Sequence, residues 1–326
     1  MNKRIILMAT GGTISSTGAA DNTHLKAELR GAQLKDRLAG LAEIEYEIEV
    51  VDVSVVNSTA ITPGDMIELA RAVNVYLDKD DVVGVVITHG TSLMEETAFM
   101  LDMLVTNTKK PVVITGAQRN ATYPWPDGIA NLNDALHIAA SPLSENMGVM
   151  VVFSGKIFEG FCVKKVHTCA LEGFSADEHG QLGSIFYNKV FFLRNRIDKP
   201  KIPLDNMTIC SVPIIPFYSG ADARYIYHAI DSGENGIVVE GVGLGNVNST
   251  FYNGIKAARE KGLPVVVTSR SSNGVLIPLY SYKGGGISLK ELGVIFTSYG
   301  SVQARLMLLL LLGAKFDYER MAEFFE

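Results

Sequence analysis

Cysteine is scarce in this chain, with three in 326 residues. Cys162, Cys169 and Cys210 form no CxxC pair, which excludes a disulfide framework and argues against a zinc site built on cysteines. Positive charge is short as well. Lys plus Arg number 29 against 35 Asp plus Glu, a formal net charge of −6. That balance argues against a nucleic-acid coat or an anionic-membrane binder, although a local basic patch is compatible with it. Long hydrophobic runs are missing too. The longest, residues 306–314, falls far short of the roughly 20 residues that span a bilayer, and is expected to form a buried helix. Near the N-terminus, Lys3-Arg4 precedes only five apolar residues, 5–9, fewer than the about 7–15 of a signal peptide. A buried first strand is the expected reading, in a soluble cytoplasmic protein without membrane contact.

What is present is a core. Apolar residues make up 47% and charged residues 20%, within the globular range. At about 150 residues per domain the length suggests two domains. Short apolar runs at residues 3–9, 48–56, 82–87, 111–114 and 147–153 read as buried strands. Amphipathic stretches at 65–77, 95–104 and 131–139 lie between them. This alternation predicts an α/β domain with a mostly parallel sheet flanked by helices. Around residues 194–206 the texture turns polar, with Pro200 and Pro203 interrupting regular structure. A smaller α/β domain follows, with strands expected at 207–213, 236–241 and 264–269 and helices at 221–231, 250–260 and 302–312. The expected layout is an N-terminal domain over residues 1–195, a linker over 196–206 and a C-terminal domain over 207–326. Gly284-Gly285-Gly286 reads as a flexible loop.

Two segments end strands with similar chemistry, Ala9-Thr10-Gly11-Gly12-Thr13-Ile14-Ser15 and Ile87-Thr88-His89-Gly90-Thr91-Ser92. In an open parallel sheet, ligands bind beyond the carboxyl ends of the strands. Glycine there lets backbone approach a ligand, and hydroxyls and free N–H groups can act as nucleophiles or hold an oxyanion. Ordinary strand-end turns would look the same. Neither segment matches GxxxxGK[ST] or GxGxxG, so both nucleotide fingerprints fail.

The paired segments resemble the two signatures of the bacterial-type L-asparaginase family. The likeness extends through Glu95-Glu96-Thr97-Ala98, Thr115-Gly116-Ala117-Gln118-Arg119, Asp127-Gly128, Asn131-Leu132 and Gly241-Val242-Gly243-Leu244-Gly245-Asn246, nearly the whole chain. The resemblance implies an amidohydrolase without cofactor or metal. It implies a large N-terminal and a small C-terminal α/β domain, and active sites between protomers of a close dimer, usually within a homotetramer. Thr13 falls at the nucleophile, which attacks a side-chain amide carbonyl to form an acyl-enzyme. Thr91 and Lys165 fall at a second hydroxyl–lysine pair. Ser58 falls at the residue that holds the substrate α-carboxylate, Gly90 lies within the second signature, and Asn246 at a position reaching a neighbouring protomer's site. On the residues alone, Lys165 also fits a surface lysine and Asn246 a turn asparagine. A lysine desolvated among Phe161, Val163 and Val166 can have its pKa lowered enough to accept a proton from a threonine, whose hydroxyl is a poor nucleophile unaided.

Three departures stand out. The family's second signature reads His-Gly-Thr-Asp-Thr; here Ser92 replaces the aspartate that binds the substrate α-ammonium and orients the lysine. An ammonium site without its carboxylate should lose about 1.5–3 kcal/mol. Asn57-Ser58-Thr59 stands where serine is commonly followed by glutamine, and Thr59 is too short to replace that amide. The lid after Thr13 holds no tyrosine between residues 14 and 44; His24 and Leu25 lie near the family's tyrosine, and His24 reads either as an exposed loop residue or as a base. The attacking groups remain while the ammonium-recognising groups change. The expected substrate is an amide whose ammonium is absent, capped or displaced: an N-substituted asparagine, a monoamide or a cyclic imide. A non-catalytic ligand-binding homologue is the alternative. A subunit of a tRNA-dependent amidotransferase shares the fold but fits the acidic chain poorly. Trp125 reads as a loop anchor or dimer contact, and Cys162 and Cys169 as buried small apolar residues.

Overall fold

The computed structural model describes residues 3–17, 26–27, 30–37, 44–56 and 58–325. The chain divides into two compact units, Met1–Lys201 and Ile202–Glu326. In the larger unit it runs through β1 (Arg4–Gly11), β2 (Ser16–Thr17), β3 (Lys26–Ala27), α1 (Gly31–Arg37), β4 (Glu47–Val56), α2 (Pro63–Leu77), β5 (Val82–Thr88) and α3 (Met94–Leu104). Next come β6 (Val112–Thr115), α4 (Gly128–Ala140), β7 (Val149–Phe153), β8 (Lys156–Glu159), β9 (Lys164–Lys165), β10 (Phe174–Ser175), β11 (Gly183–Phe186) and β12 (Lys189–Phe192).

One eight-stranded sheet in the order β12-β11-β8-β7-β6-β5-β1-β4 forms its centre. The strands from β4 to β7 are parallel neighbours. Ile5, Ile6, Leu7 and Met8 of β1 are all fully buried, as expected for an interior parallel strand covered on both faces. From β1 the chain crosses to β4 on one side and then returns to β5 on the other. The carboxyl ends of β1 and β5 therefore flank the point where strand order reverses, the usual ligand crevice of such sheets.

The antiparallel end, β8, β11 and β12, goes beyond the alternation read from sequence. It is made by two-residue turns at Ser154-Gly155 and Tyr187-Asn188, all four at positive φ. Such turns match the twist of a hairpin, but neither Ser-Gly nor Tyr-Asn carries the strong Asn-Gly signal.

The smaller unit runs through β13 (Ile214–Pro216), α5 (Arg224–Asp231), β14 (Ile237–Gly241), α6 (Ser249–Glu260), β15 (Val265–Ser269), α7 (Gly286–Lys290), β16 (Ile295–Phe296), α8 (Ser301–Gly313) and α9 (Tyr318–Met321). Its sheet is parallel throughout, β13-β14-β15-β16. The strand expected at 207–213 is displaced. Thr208 N–H donates to Gly313 at the end of α8, and Ser211 exchanges hydrogen bonds with Asn235 in a turn. Pairing begins only at Ile214. The apolar run 306–314 lies mainly in α8, where Leu306 through Leu311 are each at most 1% exposed. Fully burying such a side chain is worth about 1.5–3 kcal/mol. The glycine triplet is no loose loop. Gly286 opens α7, and a Cβ on it would sit 2.6 Å from the Pro278 Cα.

Helix α2 shows how local sequence starts an element. Thr62 caps it: the Asp65 N–H donates to Thr62 Oγ1 at 3.2 Å, the Asp65 carboxylate accepts the Thr62 N–H at 2.8 Å, and Pro63 follows at the first helical position. Met66, Leu69, Ala70, Val73 and Leu77 then turn to the core. Thr62→Ala is expected to cost about 1 kcal/mol. Urea denaturation should show a lower midpoint with an unchanged slope.

Candidate active site

Beyond β1, the backbone turns through Gly11 (φ 93°) and Gly12 (φ 86°), a region that side chains rarely adopt. Thr10 Oγ1 donates to the Thr88 carbonyl at 2.9 Å, tying the end of β1 to the end of β5. A Cβ on Gly12 would fall inside the van der Waals shell of the Gly90 backbone, and one on Gly90 would sit 2.6 Å from Ser58 Oγ. The loops after β1 and β5 thus meet backbone to backbone, and the loop after β4 joins them through the Ser58 side chain. This contact brings together Thr13, Ser58, Gly90 and Thr91, which lie far apart in sequence. Thr13 is half-buried, and Ser58 and Thr91 are each 5% exposed.

Lys165, on β9, joins them. Its Nζ donates to Thr91 Oγ1 at 2.8 Å and approaches Gln118 Oε1 at 3.4 Å. Burial pushes the Lys165 ammonium below its ordinary pKa, opposed by the nearby Glu95 carboxylate. Phe161 and Val163 are buried beside it, while Val166 is 55% exposed and contributes less cover than expected. The neighbouring Lys164 pairs instead with Asp177 at 3.0 Å.

His89 holds the second loop from inside. It is fully buried, and its Nδ1 lies 2.8 Å from the Gly90 carbonyl. A carbonyl only accepts, so Nδ1 carries the proton and Nε2 accepts from the Thr97 hydroxyl at 3.0 Å. Burial depresses its pKa to about 4. It is a neutral prop for the turn that presents Thr91.

Gln118 and Glu95 are the contributors that motif matching leaves without a role. Gln118 is placed by Asp127, whose carboxylate accepts the N–H groups of Gln118 at 3.0 Å and Arg119 at 2.8 Å. Asn131 donates to Gly116 O at 3.0 Å and completes the staple. Glu95, in the first turn of α3, accepts the backbone N–H of Lys165. The resemblance already ran through all four residues; their spacing alone did not say which would touch Lys165.

Ser92 and Thr59 are exposed, and among the described residues neither side chain hydrogen-bonds to Lys165 or to Thr91. His24, Leu25 and Asn57 lie outside the described residues. Asn246, in the smaller unit, accepts the Gly286 N–H at 3.2 Å. Two expectations need correction. Cys169 is exposed and only Cys162 is buried, where burial pushes its thiol up to about 12. Trp125 is 77% exposed and anchors nothing by burial; its loop is held by Arg119, which donates to the Trp125 carbonyl at 3.1 Å. Among the described residues, no group of three His, Cys, Asp or Glu could hold a metal ion, and no helix is long and apolar enough to cross a membrane.

Residues 4–198 match the family model for the asparaginase N-terminal domain, and residues 211–325 that for the glutaminase/asparaginase C-terminal domain. The chain belongs to the asparaginase family. It is 33% identical to an L-asparaginase of Bacillus licheniformis, across 96% of this chain and 97% of that one. It is 31% identical to L-asparaginase 2 of Bacillus subtilis, across 98% and 85%. The crystal structure of a probable cytoplasmic L-asparaginase from Campylobacter jejuni superposes with a TM-score of 0.88 at 29% identity, covering 99% of each chain. The protein is accordingly an asparaginase-like amidohydrolase, and the two-unit α/β fold expected from sequence is that of its family.

The His89 environment has a pH consequence. Its folded pKa of about 4 lies below the ordinary 6.5, so below pH 6.5 the unfolded chain takes up the proton first. The stability tied to a neutral His89 is intact above about pH 6.5. It is lost progressively down to about pH 4, by about 3 kcal/mol in all. Asp134, raised by burial to about 6, works in the opposite direction. The comparison is therefore between wild type and His89→Gln: their unfolding free energies should converge as pH falls from 7.5 to 5. A constant gap would show that His89 is not the titrating group.

Proposed function

We propose that this protein hydrolyses a carboxamide through Thr13, with the Thr91–Lys165 pair as proton relay. The observation that carries the reading is the 2.8 Å hydrogen bond between Lys165 Nζ and a nearly buried Thr91 hydroxyl, beside the glycine contact that brings in Thr13. Neutral Lys165 accepts a proton through Thr91 as the Thr13 oxygen bonds to the amide carbon. The C–N bond then breaks, the relay returns the proton to the leaving nitrogen, and ammonia departs from an ester on Thr13. Water, deprotonated by the same relay, attacks that ester and releases the carboxylic acid and Thr13. A lysine with a depressed pKa is suited to this exchange near neutral pH.

Substrate recognition has shifted in our reading. Ser58, in contact with Gly90, remains to meet a carboxylate. Ser92 brings no charge to the ammonium position, and Thr59 brings no amide. An N-substituted asparagine, a monoamide or a cyclic imide suits this set better than free L-asparagine. The remaining proposals follow the family resemblance: domains over 1–195 and 207–326 joined at 196–206, a cytoplasmic location and a homotetramer of close dimers. Asn246 would then reach a neighbour's site.

The test is a panel of amides assayed for ammonia release, with wild type beside Thr13→Ala and Ser92→Asp. Thr13→Ala should lose at least about 1,000-fold in kcat. Ser92→Asp should gain about 10- to 100-fold in kcat/KM on L-asparagine, matching the 1.5–3 kcal/mol of a charge-assisted contact. A wild type that prefers L-asparagine by a wide margin sinks the substrate shift. No turnover on any amide, and no acyl adduct on Thr13 by mass spectrometry, would mark a binding protein instead.

A further inference from the structure

Helix α3 holds the Lys165-bearing segment at two places, about two turns apart on the same face. In its first turn the Glu95 carboxylate accepts the Lys165 N–H. Near its end, Asp102, 4% exposed, accepts the Phe161 N–H at 3.1 Å. The residues between are fixed as well: Phe161 and Val163 are buried, and the Val163 N–H donates to the Glu159 carbonyl at 3.1 Å. Glu159 is 2% exposed and paired with Arg194. The same helix begins three residues after Thr91. One rigid element therefore sets both partners of the hydroxyl–lysine pair, Thr91 by chain connection and Lys165 by two carboxylate braces.

We propose that Glu95 is a positioning residue for Lys165, fixing its backbone and supplying the nearby negative charge that Ser92 does not. Asp102 is the second, purely geometric brace. This rests on the reading of Lys165 as the base of the site. Glu95 is half-buried; burial raises its carboxyl pKa, opposed by the hydrogen bond from the Lys165 N–H and by the charges of Lys164 and Lys165. The groups facing the pair are few: Glu96 on α3, Lys164 beside Lys165 and itself bound to Asp177, and Cys169 beyond β9. A carboxylate beside a lysine favours the ammonium, so Glu95 tempers the effect of burial. Removing its charge while keeping its acceptor should make Lys165 easier to deprotonate.

The experiment is competitive labelling of Lys165 with acetic anhydride across pH, read by mass spectrometry, on wild type, Glu95→Gln, Glu95→Asp and Glu96→Gln. Labelling needs no turnover. In Glu95→Gln the midpoint for Lys165 should fall by about one pH unit, and the acid limb of kcat/KM should move down with it. Glu95→Asp keeps the charge but loses reach; it should label near the wild-type midpoint while kcat drops at least about tenfold with KM little changed. Glu96→Gln should shift the midpoint by less than a third as much. An unchanged midpoint in Glu95→Gln overturns the proposal, as does an equal shift in Glu96→Gln. Should Glu95→Gln prove insoluble, Glu95→Asp decides through its split between labelling and kcat. A wild type inactive on every amide would defeat the proposed function alone, because the labelling midpoints would still report on the brace.

Discussion

The site depends on one close approach, the backbone of Gly12 against the backbone of Gly90, with Ser58 packed on the far side. Where strand order reverses, the loops after two neighbouring parallel strands lead to opposite faces of the sheet, which opens a crevice between them. Here the loops fold toward each other because neither carries a Cβ at the crossing. Positive φ at Gly11 and Gly12 turns the first loop, and a buried neutral histidine props the second. Thr13, Ser58 and Thr91, separated by dozens of residues, are thereby carried to one crossing. A methyl group at the crossing would have to push backbone, and backbone at this depth is held by the sheet.

Electrostatics completes what packing begins. Burial strips water from Lys165 and makes its charge costly, while the nearby Glu95 carboxylate returns part of that stabilisation. The same logic applied to His89 gives the opposite role. With no charged partner and with both nitrogens satisfied, it stays neutral and structural. Two titratable side chains near Thr91, the proposed base Lys165 and the strut His89, thus differ by what surrounds them as well as by their intrinsic chemistry.

The parallel strands and their helices were legible because each carries its own signal: unbroken apolar runs in β1 and β5, helical spacing in α2, α3 and α4. The paired Thr-Gly segments and the family likeness pointed to Thr13, Ser58, Thr91 and Lys165 before any coordinates. Less was visible where conformation is fixed by partners distant in sequence. The hairpins at Ser154-Gly155 and Tyr187-Asn188 use residues with weak turn preference. The segment at 207–213 has strand-like composition, but its hydrogen bonds go to a helix end and a turn. Gly284-Gly285-Gly286 looked loose because glycine is permissive, whereas tight packing against Pro278 and Tyr280 is what requires it there. Glu95 and Gln118 sat inside recognised motifs, yet only the fold shows which of their neighbours they touch.

Ser92 stands in a different mechanical position from the residues around it. It is exposed, and among the described residues its side chain makes no hydrogen bond. Exposed positions of this kind change stability by within about 0.5 kcal/mol on substitution. The glycine crossing and the buried histidine have no such freedom. Two constraints therefore meet in one short segment: the residue at 92 can be exchanged at little cost to the fold, while Gly90 and Thr91 beside it are buried and held. On the proposed reading of Ser92, a change of substrate preference made there would need no compensating stabilisation elsewhere.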